Sequence, residues 1–179
     1  MNRFIGTVIS DLTREEFIDQ LTADGYVLIG SGLYSAVYAQ HGGTTVIKVG
    51  STIHDPWLNW AESILRSEQD NPWLPDVKEV SVYRKTRKHT KAAFYVAHME
   101  RLCPISYDDQ NKYYSHLSHI RNTCVYEDVS NVSVISEMFG DMVKLVKATL
   151  NQCDGRYDFH FGNIMLRGQQ IVVTDPIAG

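Results

Sequence analysis

Apolar residues along this chain follow two rhythms, a period of two and a period near 3.6, and the shift between them organises the sequence. Residues 13–21 predict a short helix. Thr13 and Glu16 form a capping box at its start, and Asp24-Gly25 ends it. Residues 26–29, 34–40 and 44–49 predict three strands of an antiparallel meander, with His41-Gly42-Gly43 as the second turn. Residues 56–69 predict a helix with Trp57, Trp60, Ala61, Ile64 and Leu65 on one face, broken at Asn71-Pro72. Residues 77–83 and 92–99 predict two more strands. From Ser106 the helical period takes over, over residues 107–119 and 132–150. Val134, Ile135, Met138, Val143, Leu145 and Val146 are candidate core positions of the second of these helices. Asp154-Gly155 predicts a turn, and residues 164–166 and 171–174 short strands around Arg167-Gly168-Gln169. The pattern predicts an α+β chain: a sheet-rich part over residues 1–102 and a helical part over 103–179, hinged near Glu100 to Pro104.

Composition narrows the function classes. Hydrophobic residues make up 44%, enough for a packed core. The formal net charge of −4 argues against a nucleic-acid binder. One basic stretch stands apart, Arg84, Lys85, Arg87, Lys88 and Lys91; it reads as a solvated hairpin or as a patch for an acidic partner or phosphate. The three cysteines, Cys103, Cys124 and Cys153, are odd in number and form no CxxC pair. Neither a disulfide framework nor a zinc site is expected, and a reducing cytosol fits best. No apolar run approaches the ~20 residues that span a bilayer, and the first residues do not read as a secretory leader.

Candidate chemistry begins at Gly30-Ser31-Gly32-Leu33-Tyr34-Ser35-Ala36-Val37, between the first two strands of the meander. Glycines there let backbone amides approach phosphate oxygens, although a plain hairpin has the same pattern. Lys48 follows in Val46-Ile47-Lys48. It is either an exposed position of an alternating strand or a phosphate-binding lysine oriented by a carboxylate, Glu62 first and Glu68 second. The strongest signal lies in Tyr157-Asp158-Phe159-His160-Phe161-Gly162-Asn163-Ile164, followed by Val172-Val173-Thr174-Asp175. The second aspartate stands twelve residues beyond Asn163.

In this order the motifs resemble the protein-kinase-like superfamily. The resemblance implies a two-lobed fold: a five-stranded antiparallel N-lobe sheet with one key helix, and a minimal helical C-lobe. It implies ATP and Mg²⁺ as cofactors. Gly30, Ser31, Gly32, Ser35 and Val37 would then line the nucleotide, Lys48 with Glu62 would hold its phosphates, Met99 would be the gatekeeper, and Glu100 and Leu102 would offer the hinge contacts to adenine. Asp158 would be the catalytic base, with Asn163 and Asp175 as metal ligands. His160 would either hold the loop by a hydrogen bond or contact the transferring phosphate.

The departures are specific. Arg156-Tyr157-Asp158 stands where conventional kinases have H-R-D, and Pro176-Ile177 follows Asp175 in place of Phe-Gly. No activation segment and no A-P-E triplet follow. The Asp-x-His-x-x-Asn pattern and the Thr-Asp-Pro ending look like compact kinases of short-tailed bacteriophages, including host-shutoff Ser/Thr kinases. That resemblance implies a host protein as substrate, in the cytoplasm of an infected bacterium. The surface left by the missing helices would be covered by a homodimer partner or by the host protein. A kinase-derived binding module that inhibits a host protein, and a small-molecule kinase, are the alternatives.

Overall fold

The computed structural model describes residues 4–67, 70–85, 93–126 and 137–179. The chain divides into two compact units. One comprises Met1–Leu65 with Asp76–Arg101, the other Arg66–Pro75 with Leu102–Gly179. Glu68, Arg87, Lys88, Lys91, Val134 and Ile135, which the sequence reading singled out, lie outside the described residues.

The first unit is built on strands β1 (Phe4–Ile9), β2 (Val27–Ser31), β3 (Ser35–Ala39), β4 (Thr45–Gly50), β5 (Val77–Arg84) and β6 (Phe94–Glu100). They form one six-stranded sheet in the order β1-β5-β6-β4-β3-β2. All pairings are antiparallel except β1 with β5, which is parallel. The sheet is therefore mixed and six-stranded, not the five-stranded antiparallel sheet that the pattern predicts. The added strand sits at an edge and pairs with residues far away in sequence, so no hairpin signal announces it.

Helix α1 (Arg14–Ala23) starts where the capping box places it. The Thr13 hydroxyl accepts from the Glu16 amide at 3.2 Å, and Glu16 Oε2 accepts from the Thr13 amide at 2.8 Å. Leu21, with Phe17 and Ile18, packs on one face of the sheet, against Ala36, Tyr38, Ile47, Val49, Phe94 and Val96. Tyr83 and Phe94 stack there at 4.8 Å, with Phe17 tilted against both. Because side chains alternate along a strand, Lys48 on β4 and Tyr95 on β6 point to the opposite face. Helix α2 (Pro56–Ser67) meets that face through Trp57. It buries Trp57, Trp60, Ala61, Ile64 and Leu65, as their spacing predicts.

The second unit holds helices α3 (Gln110–Tyr126) and α4 (Glu137–Leu150) and two small sheets. Strand β7 (Cys103–Pro104) pairs with β9 (Ile164–Arg167), and β9 with β10 (Gln170–Val173). Strand β8 (Arg156–Tyr157) pairs with β11 (Ile177–Ala178). Helix α3 begins later than predicted because the Ser106 hydroxyl accepts from the Asp109 amide and donates to its carboxylate, closing a turn first. In α4, Val143 and Val146 are buried as predicted. Met138, a predicted core position, is 48% exposed, and Phe139 and Met142 fill the core in its place. The segment Asn71–Pro75 is fixed to this unit. Asn71 Nδ2 donates to the Met138 carbonyl, Trp73 meets Phe139 edge-on at 4.9 Å, and the Val173 amide donates to the Trp73 carbonyl at 2.8 Å. Arg167 donates to the Pro72 and Leu74 carbonyls at 3.1 and 2.9 Å. No helix among the described residues is long and apolar enough to cross a membrane.

Candidate functional site

In the first unit, the hairpin β2–β3 carries the glycine-rich segment. The Gly32 amide donates to the Ser35 carbonyl at 2.8 Å, and both the amide and hydroxyl of Ser51 donate to the Tyr34 carbonyl. Gly30 and Ser31 end β2, and Ser35 opens β3. Neither Gly30 nor Gly32 has a positive φ, and a Cβ on either would meet nothing within 4 Å. The chain's own backbone and packing therefore do not require glycine at these two positions. Ile29 and Leu33 beside them are 45% and 86% exposed, so the hairpin presents an apolar surface.

Val37 of β3 lies opposite Lys48 in the β3–β4 register, and Lys48 lies opposite Ala97 of β6. Lys48 is 7% exposed, with Nζ 3.9 Å from the centroid of the Trp57 ring. Of the two readings of this lysine, the exposed strand position is thus excluded. Glu62 is half-buried on α2, the helix that supplies Trp57. Met99 is buried next to Val46. Glu100 closes β6: its carboxylate accepts from the Asp76 amide at 2.8 Å, and its own amide donates to the Asp76 carbonyl at 3.0 Å.

The second unit carries Leu102 and the loop between β8 and β9. Four predicted residues meet at this loop. Asn163 Nδ2 donates to the Asp158 carbonyl and to Asp158 Oδ2, both at 2.8 Å. His160 Nε2 lies 3.5 Å from the same Oδ2, while its Nδ1 accepts from the Gly162 amide at 3.0 Å. With Nδ1 accepting, the neutral tautomer of His160 carries its proton on Nε2. The Asn163 carbonyl accepts from the Thr174 and Asp175 amides at 3.0 and 3.2 Å and from the Thr174 hydroxyl at 2.9 Å. The Asp158 amide donates to the Pro176 carbonyl at 2.9 Å. Asp158, Asn163 and Asp175 are therefore bound into one backbone knot, closed at its ends by the β8–β11 and β9–β10 pairs. Tyr157 and Phe159 stack at 5.9 Å on either side of Asp158 in sequence. Burial raises the Tyr157 hydroxyl above its ordinary value, with Cys124 adding to the effect, and burial pushes the Cys124 thiol up to about 12.

The donors at this loop suit a hard cation. The Asn163 side-chain nitrogen is engaged by Asp158, which leaves the amide oxygen as the end that could take a metal, and Asp175 is tied to the same asparagine through its backbone amide. Oxygen donors of this kind fit Mg²⁺, which keeps much of its shell for water and phosphate. No group of three or more His, Cys, Asp or Glu among the described residues is arranged to hold a metal by itself. Comparison with models of known protein families and with curated proteins gives no match to this chain.

Sequence reasoning missed three residues near Lys48. Asp55 is 5% exposed and accepts from the Trp57 amide at 3.0 Å, capping α2. Tyr95 donates to Asp55 at 2.5 Å, and Gly50 makes room for its ring. The pair Asp55-Pro56, a capping residue followed by proline at the first helical position, was the available signal for the first of them.

Proposed function

We propose that this chain is an ATP-dependent phosphotransferase whose acceptor is a Ser or Thr hydroxyl of a protein. The observation that carries the reading is the knot at residues 158–175. A carboxylate is held by an asparagine and faced by a histidine, and a second aspartate is tied to the same asparagine. A structural turn needs an Asx cap; it does not need a histidine beside the same carboxylate, nor a second aspartate whose backbone amide is bound to the carbonyl of the same asparagine.

In this reading Asp158 orients the acceptor hydroxyl and takes its proton as the phosphoryl group moves across. The Asn163 donor fixes the direction of the Asp158 carboxylate, and His160 stands beside it. Asn163 and Asp175 would hold Mg²⁺, which neutralises charge on the phosphates and orients the γ-phosphoryl group. In the first unit, Lys48 supplies a positive charge for the phosphates. Gly30 and Gly32 leave the hairpin backbone open to close approach, and Ile29 with Val37 offers apolar contact to a base. Little covalent work is asked of the protein, since positioning and charge stabilisation supply most of phosphoryl-transfer catalysis.

The test is transfer of label from [γ-³²P]ATP with Mg²⁺ to a bacterial protein extract, followed by phosphoamino-acid analysis, with Asp158→Ala as control. Phosphoserine or phosphothreonine that depends on Asp158 is the expected result. Equal labelling by the variant refutes the assigned base.

A further inference from the structure

A phosphate-binding lysine must present its ammonium at one place, yet lysine is a flexible stem with a strongly hydrated head. Lys48 is buried with Nζ over the indole of Trp57 at 3.9 Å. That indole is itself fixed. It stacks on Tyr95 with centroids 5.5 Å apart and planes 15° from parallel. The Tyr95 hydroxyl donates to Asp55 Oδ2 at 2.5 Å, and Asp55 Oδ1 accepts from the Trp57 amide at 3.0 Å. Asp55, Trp57 and Tyr95 thus form a closed ring of contacts, all three at most 5% exposed. Tyr95 can enter only because Gly50, two residues after Lys48 on the same strand face, has no side chain: a Cβ there would lie 1.9 Å from the tyrosine ring.

We propose that Trp57 is a positioning residue for Lys48, an aromatic ledge that holds the ammonium where a nucleotide's phosphates meet it. The inference rests on the phosphotransferase reading. The face of an indole attracts a cation through its quadrupole, and more strongly where water is excluded. It thereby offsets part of the dehydration of a buried ammonium. The indole does so without adding a negative charge beside the ammonium. Asp55 and Tyr95 serve the same end at one remove, by fixing the start of α2 and the plane of the indole.

The test combines a spectroscopic signature with nucleotide binding. In protein carrying [¹³Cε]lysine, one ε-methylene resonance is expected far upfield, shifted by the indole ring current. It should be absent from Lys48→Arg, return to the ordinary position in Trp57→Leu, and stay partly shifted in Trp57→Phe. Calorimetric Mg²⁺·ATP affinity should fall roughly tenfold in Trp57→Leu and about threefold or less in Trp57→Phe, the size expected for a buried cation–π contact. In a Lys48→Met background Trp57→Leu should have no further effect. The proposal is overturned if no resonance is shifted, if Leu and Phe weaken binding alike, or if the Trp57→Leu loss persists without Lys48, since each of these leaves tryptophan as packing only. A wild-type protein that shows the shifted resonance yet binds no Mg²⁺·ATP overturns the phosphotransferase reading, and the positioning role with it. Should Trp57→Leu not fold, the resonance in wild type and Trp57→Phe, with binding by Trp57→Phe in both backgrounds, decides.

Discussion

Gly50 shows how much one absent methyl group can determine. Its missing Cβ leaves the space that the Tyr95 ring fills, and that ring cannot retreat cheaply, being stacked on Trp57 and bonded to Asp55. Gly50→Ala is therefore expected to cost about 1–3 kcal/mol or more, as overpacking of a filled core does. The measurement is the urea midpoint of Gly50→Ala against wild type; an unchanged midpoint would mean the ring is free to move aside. None of this was legible in the sequence, because Gly50, Asp55 and Tyr95 are separated along the chain and each alone has an ordinary explanation. Asp158, His160, Asn163 and Asp175 were legible for the opposite reason: they lie within one short stretch, so their spacing already encodes their proximity. Lys48 was half legible. The strand was evident from its alternation, but only the fold shows that this side of β4 is buried against a helix.

Among the elements, α1 follows most directly from local sequence. Its capping box is written in Thr13 and Glu16, and Thr13→Ala should cost about 1 kcal/mol of stability. The Glu16 carboxyl is held below its ordinary value of 4.5, chiefly by the hydrogen bond from the Thr13 amide and next by that from the Thr13 hydroxyl. A carboxyl whose value is lowered by folding stabilises the fold above its unfolded value and loses that contribution as pH falls through the lowered one. The stability difference between wild type and Glu16→Gln should thus be constant near neutrality and shrink below about pH 4.5, read from denaturation midpoints across that range. A pH-independent difference would contradict the assignment. Elements that depend on distant partners were harder to read. Strand β1 has no local turn to announce it and pairs in parallel with β5. The start of α3 is delayed by the Ser106–Asp109 turn, and Met138 turns outward because Phe139 and Met142 already occupy the core side of α4.

At the scale of the whole molecule, the proposed phosphate-binding lysine and the proposed base belong to different units. Lys48 belongs to the sheet unit, while Asp158, Asn163 and Asp175 belong to the unit of α3 and α4. A protein in which these were unrelated features could lose either without consequence for the other, whereas a phosphotransferase needs both at once. The measurement that addresses this most directly is single-turnover loss of the γ-phosphoryl group from Mg²⁺·ATP, in wild type, Lys48→Met and Asp175→Ala. Turnover by the wild type, with each variant slower by about two orders of magnitude or more, is the result this account predicts. An inert wild type, or variants that turn over ATP as fast as it does, would contradict it.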